Sequence, residues 1–427
     1  MSASAAIIFA GARPRTALPF FVLAVVLAAA MAVHYQEGSL RQAWQYPRYR
    51  INELTLAVVS DSKEIKGGRE VLGAEILKYG GQDTEELQHS SRVTVFITGR
   101  GRYFRGEIIH IRYGKYIKAG SVFLSIPEKN LTRVSWSSPL LKLRGDLLHA
   151  VYRKLSFLNR TSQKLFTAFF LGKKGDPSDP LFRNFTHAGA SHLLALSGMH
   201  LGILSGGIML ALSPLMGKKR SFVTSLPLLL GYLFFAGASP SLLRAYIFLC
   251  LIGAGILAGI KPDYFHILAL TFLVHCFITP LSAQTVSFKL SYLALAGIFI
   301  AAKPLIRLLP GIIPLHVRSV FAASAGAQIG TLPVVLYFFH TFYPAGLVSS
   351  LLLVPLTALF LLLGVAFLFV PQGLLFGTVV FVENGLGNML SWSAGFFAHI
   401  PVPPAALLLT ILFLAGYLFT VKKRQQT

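Results

Sequence analysis

Residues 192–202 carry histidine and serine side chains within an otherwise apolar stretch, His-Leu-Leu-Ala-Leu-Ser-Gly-Met-His-Leu-Gly. At about 100° per residue, an α-helix would place His192, Ser197 and His200 within about 140° of one another, which predicts one polar face. Polar side chains inside a membrane are costly, and they usually face a cavity or a partner helix. The spacing therefore predicts either the lining of a polar channel or hydrogen bonding between helices.

Glycines occupy the other side of the same predicted helix. Gly198, Gly202 and Gly206 lie four residues apart, a spacing of small residues that lets a neighbouring helix approach closely. Ser197 and His200 also have the side-chain types of a nucleophile and its general base. No G-x-S-x-G turn surrounds Ser197, so no catalytic residue is assigned, and a membrane-embedded hydrolase is kept only as an alternative.

Four further side chains in the apolar half of the chain are candidates for lining a channel. Arg244 and Lys289 lie near the ends of predicted spans, where they would attract phosphate or extend toward the lipid headgroups. Gln328 lies in mid-span, shortly before Pro333, and a proline inside a span frees carbonyls that can line a cavity. Glu383 is compatible with proton coupling or with a buried hydrogen bond.

The patterns of several other chemistries are missing from the sequence. The two cysteines, Cys250 and Cys276, both lie in apolar stretches, so no disulfide is expected in a water-exposed domain. Cysteine and histidine do not occur at metal-ligand spacing, and there is no G-x-x-x-x-G-K-[ST] loop to bind nucleotide phosphates. We therefore predict no metal site, no cofactor and no nucleotide hydrolysis by this chain.

The composition indicates a membrane protein. Only 13% of the 427 residues are charged, against about 25% in a soluble domain, and residues 191–427 hold 14 of the 55 charged residues. Apolar runs of about 20 residues can cross the hydrocarbon core as helices. They predict about ten spans, near residues 18–33, 190–214, 221–238, 242–260, 264–281, 287–303, 319–338, 346–370, 374–398 and 403–420.

Basic residues predict the orientation of these spans. Alternate loops contain lysine and arginine, including residues 218–220 and 422–424, whereas the loops between them contain neither. Cytoplasmic loops carry this excess, so both termini are predicted to be cytoplasmic. Residues 18–33 are interpreted as an uncleaved anchor, with a cleaved signal peptide as the alternative. The net charge of +23 is explained by this bias or by a nucleic-acid partner.

Four segments are predicted. Residues 1–46 form a membrane anchor, 47–137 an extracytoplasmic β domain, 138–189 a basic amphipathic helical connector, and 190–427 the polytopic membrane domain. Alternating β-branched stretches between glycine clusters in the second segment predict five or six strands closed as a barrel, which suits a binder of single-stranded nucleic acid or a spacer. Leucines at helical spacing in the third predict a helix lying on the membrane surface or packed on the barrel.

Several segments resemble those of the ComEC family of competence proteins, and their order along the chain agrees with the order in the family. Residues 192–200, HLLALSGMH, are similar to the family signature around HLLAISGLH. The other similar segments are Phe170-Leu-Gly-Lys-Lys, residues 239–245 with the pattern Ser-x-x-Arg-Ala, residues 287–292 (SFKLSY, where the family has SFQLSF) and residues 326–333. The resemblance covers nearly the whole chain from the first anchor onward.

The resemblance implies a channel component that carries single-stranded DNA across the bacterial cytoplasmic membrane during natural transformation. It implies a polytopic α-helical protein whose small all-β domain is of OB type and lies outside the membrane. The expected partners are single-stranded DNA, membrane lipid, a DNA receptor, a separate nuclease and a cytoplasmic ATPase, and homo-oligomerisation is compatible with the sequence.

One feature of many family members is not expected in this chain. The H-x-H-x-D-H cluster of a metallo-β-lactamase-like domain does not occur, so we expect no such domain and no strand-degrading activity. The alternatives to a DNA channel are a transporter or scaffold for another anionic substrate and, with less support, the membrane-embedded hydrolase.

Overall fold

The computed structural model describes most of the chain between Arg50 and Pro401. The described residues are 50–65, 69–81, 92–98, 101–118, 123–173, 175–176, 178–260, 263–343, 345–396 and 400–401. The predicted anchor at residues 18–33 and the last predicted span at residues 403–420 lie outside them. The chain divides into two compact units, one comprising Gly38–Arg183 with Val365–Val380, and the other comprising the remainder.

The first unit is built around a β-sheet. Its strands are β1 (Arg50–Val58), β2 (Lys63–Ile65), β3 (Arg69–Gly81), β4 (Arg92–Thr98), β5 (Glu107–Lys118), β6 (Phe123–Pro127) and β7 (Leu131–Trp136). Leu54, Leu56 and Val58 are buried in its core, and the residues between them are not. This is the two-residue period that a strand imposes on its side chains. The predicted small N-terminal β domain is therefore confirmed.

Three of the strands form an antiparallel meander, and the next strand of the chain pairs with the other edge of the first one. β1, β3 and β4 are successive antiparallel neighbours, and β5 pairs antiparallel with the free side of β1. β6 then pairs in parallel with β4, while β7 pairs with β5. The order is β6-β4-β3-β1-β5-β7, with β2 paired to β3. Among the described residues the pairing runs from β6 at one end to β7 at the other, so closure into a barrel stays a prediction.

Three helices follow the sheet: α1 (Pro139–Leu155), α2 (Arg160–Leu171) and α3 (Pro180–His187). The leucine spacing in the connector at residues 138–189 predicts one amphipathic helix, whereas the structure divides this helix, because α1 stops at Leu155. Asn159 starts a second helix by accepting a hydrogen bond of 2.7 Å from the backbone N–H of Ser162. Asparagine favours this position because its side chain satisfies a donor that a helix start leaves unpaired.

Asp61, between β1 and β2, ties the sheet to α1. Its carboxylate accepts hydrogen bonds of 2.9 and 2.7 Å from the guanidinium of Arg144 and one of 2.8 Å from the backbone N–H of Arg105. Lys173, just after α2, lies 3.8 Å away. Burial raises the pKa of Asp61, but these partners outweigh burial and hold the pKa below its ordinary value. Arg144 is itself buried, although it lies in the segment predicted as a basic amphipathic connector.

Aromatic rings complete this junction. The ammonium of Lys173 lies 4.8 Å from the centre of the Phe104 ring. The ring of Trp136, at the end of β7, packs on α1 so closely that a Cβ on Gly145 would lie 2.0 Å from it. α1 can therefore approach β7 at this distance only because residue 145 has no side chain.

Glu107, at the start of β5, is an almost fully buried carboxylate, and its side chain is 2% exposed. It accepts a hydrogen bond of 3.2 Å from the backbone N–H of Phe104, and Arg133 lies 3.4 Å away. Burial disfavours the charged form more than these partners favour it, so the pKa of Glu107 rises from 4.5 to about 7. This carboxyl therefore titrates near neutral pH.

The second unit contains most of the apolar helices. These are α4 (Gly198–Met216), α5 (Lys218–Ala236), α6 (Pro240–Leu257), α7 (Tyr264–Ile278), α8 (Val286–Leu308), α9 (Leu315–Phe339), α10 (Gly346–Phe369) and α11 (Gln372–Phe396). Six of them, α4, α6, α8, α9, α10 and α11, are long and apolar enough to cross a membrane. α7 is apolar but has 15 residues, or about 22 Å, which is short of a core about 30 Å thick.

These helices fall on the predicted spans between residues 190 and 398. The mostly helical architecture with several membrane-capable helices is thus confirmed, and the number of ten spans stays a prediction. The chain also forms a two-stranded sheet from β8 (Thr341–Phe342) and β9 (Ile400–Pro401).

Glycines bring α8 and α9 into backbone contact. A Cβ on Gly297 would lie 2.2 Å from the carbonyl oxygen of Gly326, and a Cβ on Gly330 would lie 2.2 Å from that of Leu293. Gly202 and Gly206, for which glycine packing is predicted, have no neighbouring helix atom of the described residues within 4 Å of where their Cβ atoms would be. The close helix contact exists in this protein, but between a different pair of helices.

We predict that Glu107→Gln removes a pH dependence from stability. Between pH 4.5 and about 7 the folded state holds the Glu107 proton and the unfolded state does not, so wild-type stability falls as pH rises through this window. The loss is on the order of 2–3 kcal/mol. Thermal unfolding of the detergent-purified protein at pH 5 and pH 8, followed by Trp136 fluorescence after Trp44 and Trp392 are replaced by Phe, measures it.

Glu64→Gln, which removes an exposed carboxylate from β2, is the control for this measurement. It should keep the wild-type difference in melting temperature between the two pH values. An unchanged pH dependence in Glu107→Gln would contradict the burial argument.

We predict that Gly297→Ala destabilises the helical unit, because its methyl group must push α8 and α9 apart. Overpacking costs about 1–3 kcal/mol, and each kcal/mol lowers the melting temperature by about 2–4 °C in a protein of this size. Gly231→Ala, in α5 with no atom within 4 Å of the added Cβ, is the matched control. Equal melting temperatures for the two variants would count against the contact.

Candidate functional site: a buried arginine at the start of α4

The segment that carries His192, Ser197 and His200 is not one helix. Ser191–Leu194 forms a 3-10 turn, the next residues are extended, and α4 begins only at Gly198. The prediction of a single helical face with all three side chains is therefore wrong. His192 lies exposed in the turn, and Ser197 precedes the helix, because a serine side chain satisfies the unpaired groups of a helix start better than it fits a helix interior.

Ser197 and His200 cap α4 reciprocally. The Ser197 side chain faces the backbone N–H of His200, and the Nδ1 of His200 accepts a hydrogen bond of 3.3 Å from the backbone N–H of Ser197. The Ser197 hydroxyl lies 3.1 Å from the same nitrogen. This is a capping box with histidine in the place of glutamate. The pair has the side-chain types of a nucleophile and base, but its contacts are those that start a helix at a defined residue.

The loop before α4 is held by α10. The hydroxyl of Ser349 donates a hydrogen bond of 2.5 Å to the carbonyl oxygen of Ala188. Gly189 has a φ of 67°, in the left-handed region that favours glycine, and a Cβ there would lie 2.6 Å from the backbone nitrogen of Gly346. The start of α4 is therefore positioned by backbone contacts on its N-terminal side as well as by its own cap.

Arg244 of α6 lies against the start of α4. One terminal nitrogen of its guanidinium, Nη2, is 2.7 Å from the position that a Cβ on Gly198 would take. Gly198 is the first residue of α4, so its missing side chain leaves the room that the guanidinium occupies. The side chain of Arg244 is only 6% exposed. Of the three glycines predicted to pack helices, Gly198 is the one with a neighbouring helix of the described chain within 4 Å of its Cβ position, and that neighbour is α6.

Serine hydroxyls hold the other side of Arg244. Its Nε donates a hydrogen bond of 2.6 Å to the hydroxyl of Ser291 in α8. The hydroxyl of Ser241, one turn before Arg244 in α6, lies 3.0 Å from that of Ser291. Three helices, α4, α6 and α8, thus meet at one guanidinium.

An aromatic core between α7 and α8 fixes the rotation of α8. Phe288 and Tyr292, one turn apart, pack with Phe272 and His275 of α7. The Tyr292 hydroxyl donates a hydrogen bond of 3.2 Å to the carbonyl of Thr271 and lies 3.1 Å from Nδ1 of His275. Ser291 precedes Tyr292 in the chain, so the core that holds the tyrosine also directs the serine toward α6.

The arginine has no acidic partner within the described part of the chain. The described residues of this unit include two carboxylates, Asp263 and Glu383. Asp263 lies 2.9 Å from His266, and neither carboxylate forms a salt bridge with Arg244. Among the described residues there is also no group of three or more His, Cys, Asp or Glu side chains placed to hold a metal ion.

The remaining predicted side chains lie elsewhere in the same unit. Lys289 of α8 has its ammonium 5.4 Å from the centre of the Phe338 ring. The amide nitrogen of Gln328 lies 3.0 Å from where a Cβ on Gly346 would be, at the start of α10. Glu383 is buried in α11. The structure thus brings Arg244 against Gly198, the residue after Ser197. It places Lys289, Gln328 and Glu383 elsewhere in the unit.

Sequence reasoning did not identify Ser241, Ser291, His275 and Tyr292. All but His275 lie in the segments at residues 239–245 and 287–292 that resemble the family. The charged residues of these segments, Arg244 and Lys289, are the ones predicted to line a channel. The two serines lie within apolar helices, where a hydroxyl by itself indicates only local hydrogen bonding. The signal available was the spacing of Phe288 and Tyr292, which places two aromatic rings on one face of a helix.

We predict that Ser197→Ala lowers stability modestly and does not abolish function. Loss of a serine cap costs about 1 kcal/mol, so the melting temperature in detergent should fall by a few degrees. Ser213→Ala, the same change inside α4, is the control. If Ser197→Ala leaves stability unchanged but abolishes a reaction, the cap interpretation fails and the hydrolase alternative is supported.

Comparison with known proteins gives a family match over the helical part of the chain. Residues 169–425 match the family described as Competence protein. Over 208 residues, or 48% of this chain, the sequence is 26% identical to ComE operon protein 3 of Bacillus subtilis (strain 168). That match spans about a quarter (26%) of the length of the Bacillus protein. No solved structure matches.

The matched region contains every helix from α3 onward and all the residues around Arg244. It covers more than half of the 427 residues and includes all the segments that resemble the family, from Phe170 to residue 333. The resemblance expected between the first anchor and residue 168 stays a prediction. This chain therefore belongs to the competence protein family.

Proposed function

We propose that this chain is a channel component that carries single-stranded DNA across the bacterial cytoplasmic membrane during natural transformation. Membership of the competence protein family and the six membrane-capable helices support this function. The relative from Bacillus subtilis bears the name ComE operon protein 3. We further propose that both termini are cytoplasmic and that the β domain lies outside, as the distribution of basic loops indicates.

The observation that carries the proposal is the environment of Arg244. A buried guanidinium costs several kcal/mol unless an anion compensates it, and none of the described carboxylates pairs with it. The phosphate groups of DNA are anions that arginine binds well. Arg244 lies among helices that are long and apolar enough to cross a membrane, so an anion that reaches it is at a position suited to transport.

The β domain is proposed to be of OB type. The β1-β3-β4 meander, the return of β5 beside β1 and the parallel pairing of β6 with β4 support this, because an OB-fold is a five-stranded Greek-key barrel. Exposed arginines, including Arg105, Arg112 and Arg133, would attract a strand of DNA. The proposed partners are a DNA receptor, a separate nuclease and a cytoplasmic ATPase.

Two alternatives use the same residues. A transporter for another anionic substrate would also place a cation such as Arg244 along its path, so the identity of the anion must be tested directly. A membrane-embedded hydrolase would use Ser197 and His200, but their contacts are those of a helix cap. The transporter is therefore the stronger alternative.

We predict that Arg244→Ala lowers DNA uptake at least tenfold, since a hydrogen bond to a charged group contributes about 1.5–3 kcal/mol. The measurement follows labelled duplex DNA in cells of a competent relative that lacks its own channel and expresses this chain. Entry of label into the cytoplasm with the wild-type chain, and its loss in the variant, is the expected result.

Lys218→Ala, which removes an exposed basic residue at the start of α5, is the control and should transport normally. Membrane levels of each protein are measured alongside uptake. If the wild-type chain reaches the membrane intact and the DNA stays outside, the channel proposal fails and the transport of other anions is tested next.

A further inference from the structure

Arg244 lies where α4, α6 and α8 meet, and its guanidinium has only part of its hydrogen bonds satisfied there. Nε is bonded to Ser291, and Nη2 abuts Gly198. Among the described residues, no hydrogen-bond acceptor is found for the terminal nitrogens Nη1 and Nη2. These nitrogens carry four of the five N–H donors of the guanidinium. A side chain this deeply buried therefore keeps most of its hydrogen-bonding capacity for a group outside the described residues.

The hydroxyls beside the arginine add a further donor. Ser241 and Ser291 have two hydroxyl protons between them. The bond of 3.0 Å that joins their oxygens uses one of the protons. The Nε of Arg244 donates to the Ser291 oxygen, which uses a lone pair and no hydroxyl proton. One hydroxyl proton therefore remains to donate to a group at this site.

The first turn of α4 adds positive potential at the same place. The N-terminus of a helix presents backbone N–H groups and carries about half a positive charge. α4 has 19 residues, and its first residue, Gly198, is the one against which Arg244 lies. The helix start and the guanidinium repel each other, and an anion that contacts both of them turns that repulsion into attraction.

We propose that Arg244, the Ser241–Ser291 hydroxyl pair and the first turn of α4 form a binding site for a single phosphodiester group, and that Gly198 keeps it open. The inference deepens the proposed function and rests on it, because it names the part of single-stranded DNA that the channel binds. A phosphodiester has one negative charge and two non-bridging oxygens, which match the planar fork of a guanidinium.

Gly198 sets the position of the guanidinium. Any side chain at residue 198 would overlap Nη2, because even a Cβ would lie 2.7 Å from it. Gly202, one turn later in α4, has no atom of a described neighbouring element within 4 Å of its added Cβ. The two glycines thus give a matched pair of substitutions, of which one displaces Arg244 without changing any charge and the other touches nothing.

The test measures binding to the full chain in detergent. The probes are a fluorescent oligothymidylate, a peptide nucleic acid of the same sequence without phosphates, and inorganic phosphate as competitor. Gly198→Ala and Ser291→Ala are expected to weaken oligothymidylate binding about tenfold, while Gly202→Ala binds as the wild type does. The neutral probe should bind weakly to every variant. Ser291→Ala removes a hydroxyl without adding volume, so it still tests the site if Gly198→Ala does not fold.

The outcomes separate the two proposals. If the wild type binds and transports DNA and both variants match it, the site is wrong and the channel proposal stands. If the wild type does not transport DNA but binds inorganic phosphate, and both variants weaken that binding, the anion site stands and the channel proposal falls. If the wild type binds neither probe nor phosphate, or binds the neutral probe equally well, the phosphodiester site is overturned.

Discussion

The cost of placing a charge among apolar helices is the constraint around which the helical unit is arranged. A guanidinium without partners in such surroundings would cost several kcal/mol, so Arg244 requires close polar neighbours. The structure supplies a hydroxyl on α8 at 2.6 Å from Nε. Gly198, at the start of α4, has no side chain and so leaves room for the guanidinium. The aromatic core around Tyr292 then fixes the rotation of α8 that keeps the hydroxyl in place. One charge thus links packing, helix boundaries and the proposed site.

The first unit meets the same constraint in a different way. There a carboxylate, Asp61, pairs with Arg144 and Lys173, so the buried charges are compensated within the described chain. Comparison of the two units shows what is unusual about Arg244. Both arginines are about 5% exposed, yet only the one in the β unit has a carboxylate partner among the described residues. A compensated pair joins two elements, whereas an uncompensated cation is suited to bind an anion.

Helix boundaries limited what the sequence could predict about the site. An assumed helix through residues 190–214 placed His192 on the same face as His200, and the structure separates them by a 3-10 turn and an extended segment. Serine is both a frequent cap and a plausible pore-lining residue, and the local sequence does not distinguish the two. The spacing of small residues predicts that Gly198 lets a neighbouring helix approach α4. The group that approaches Gly198 is the guanidinium of Arg244.

The sequence by itself determined the class of the protein, because apolar runs about 20 residues long must form helices in lipid and alternating β-branched segments must form strands with one buried face. It also determined the family, through short segments that all lie within the match over residues 169–425. Tertiary structure alone decided which helices touch through glycine and which polar groups meet. Those contacts join residues 46 and 47 positions apart, such as Gly198 with Arg244 and Arg244 with Ser291, and the periodicity of a single helix contains no information about its neighbours.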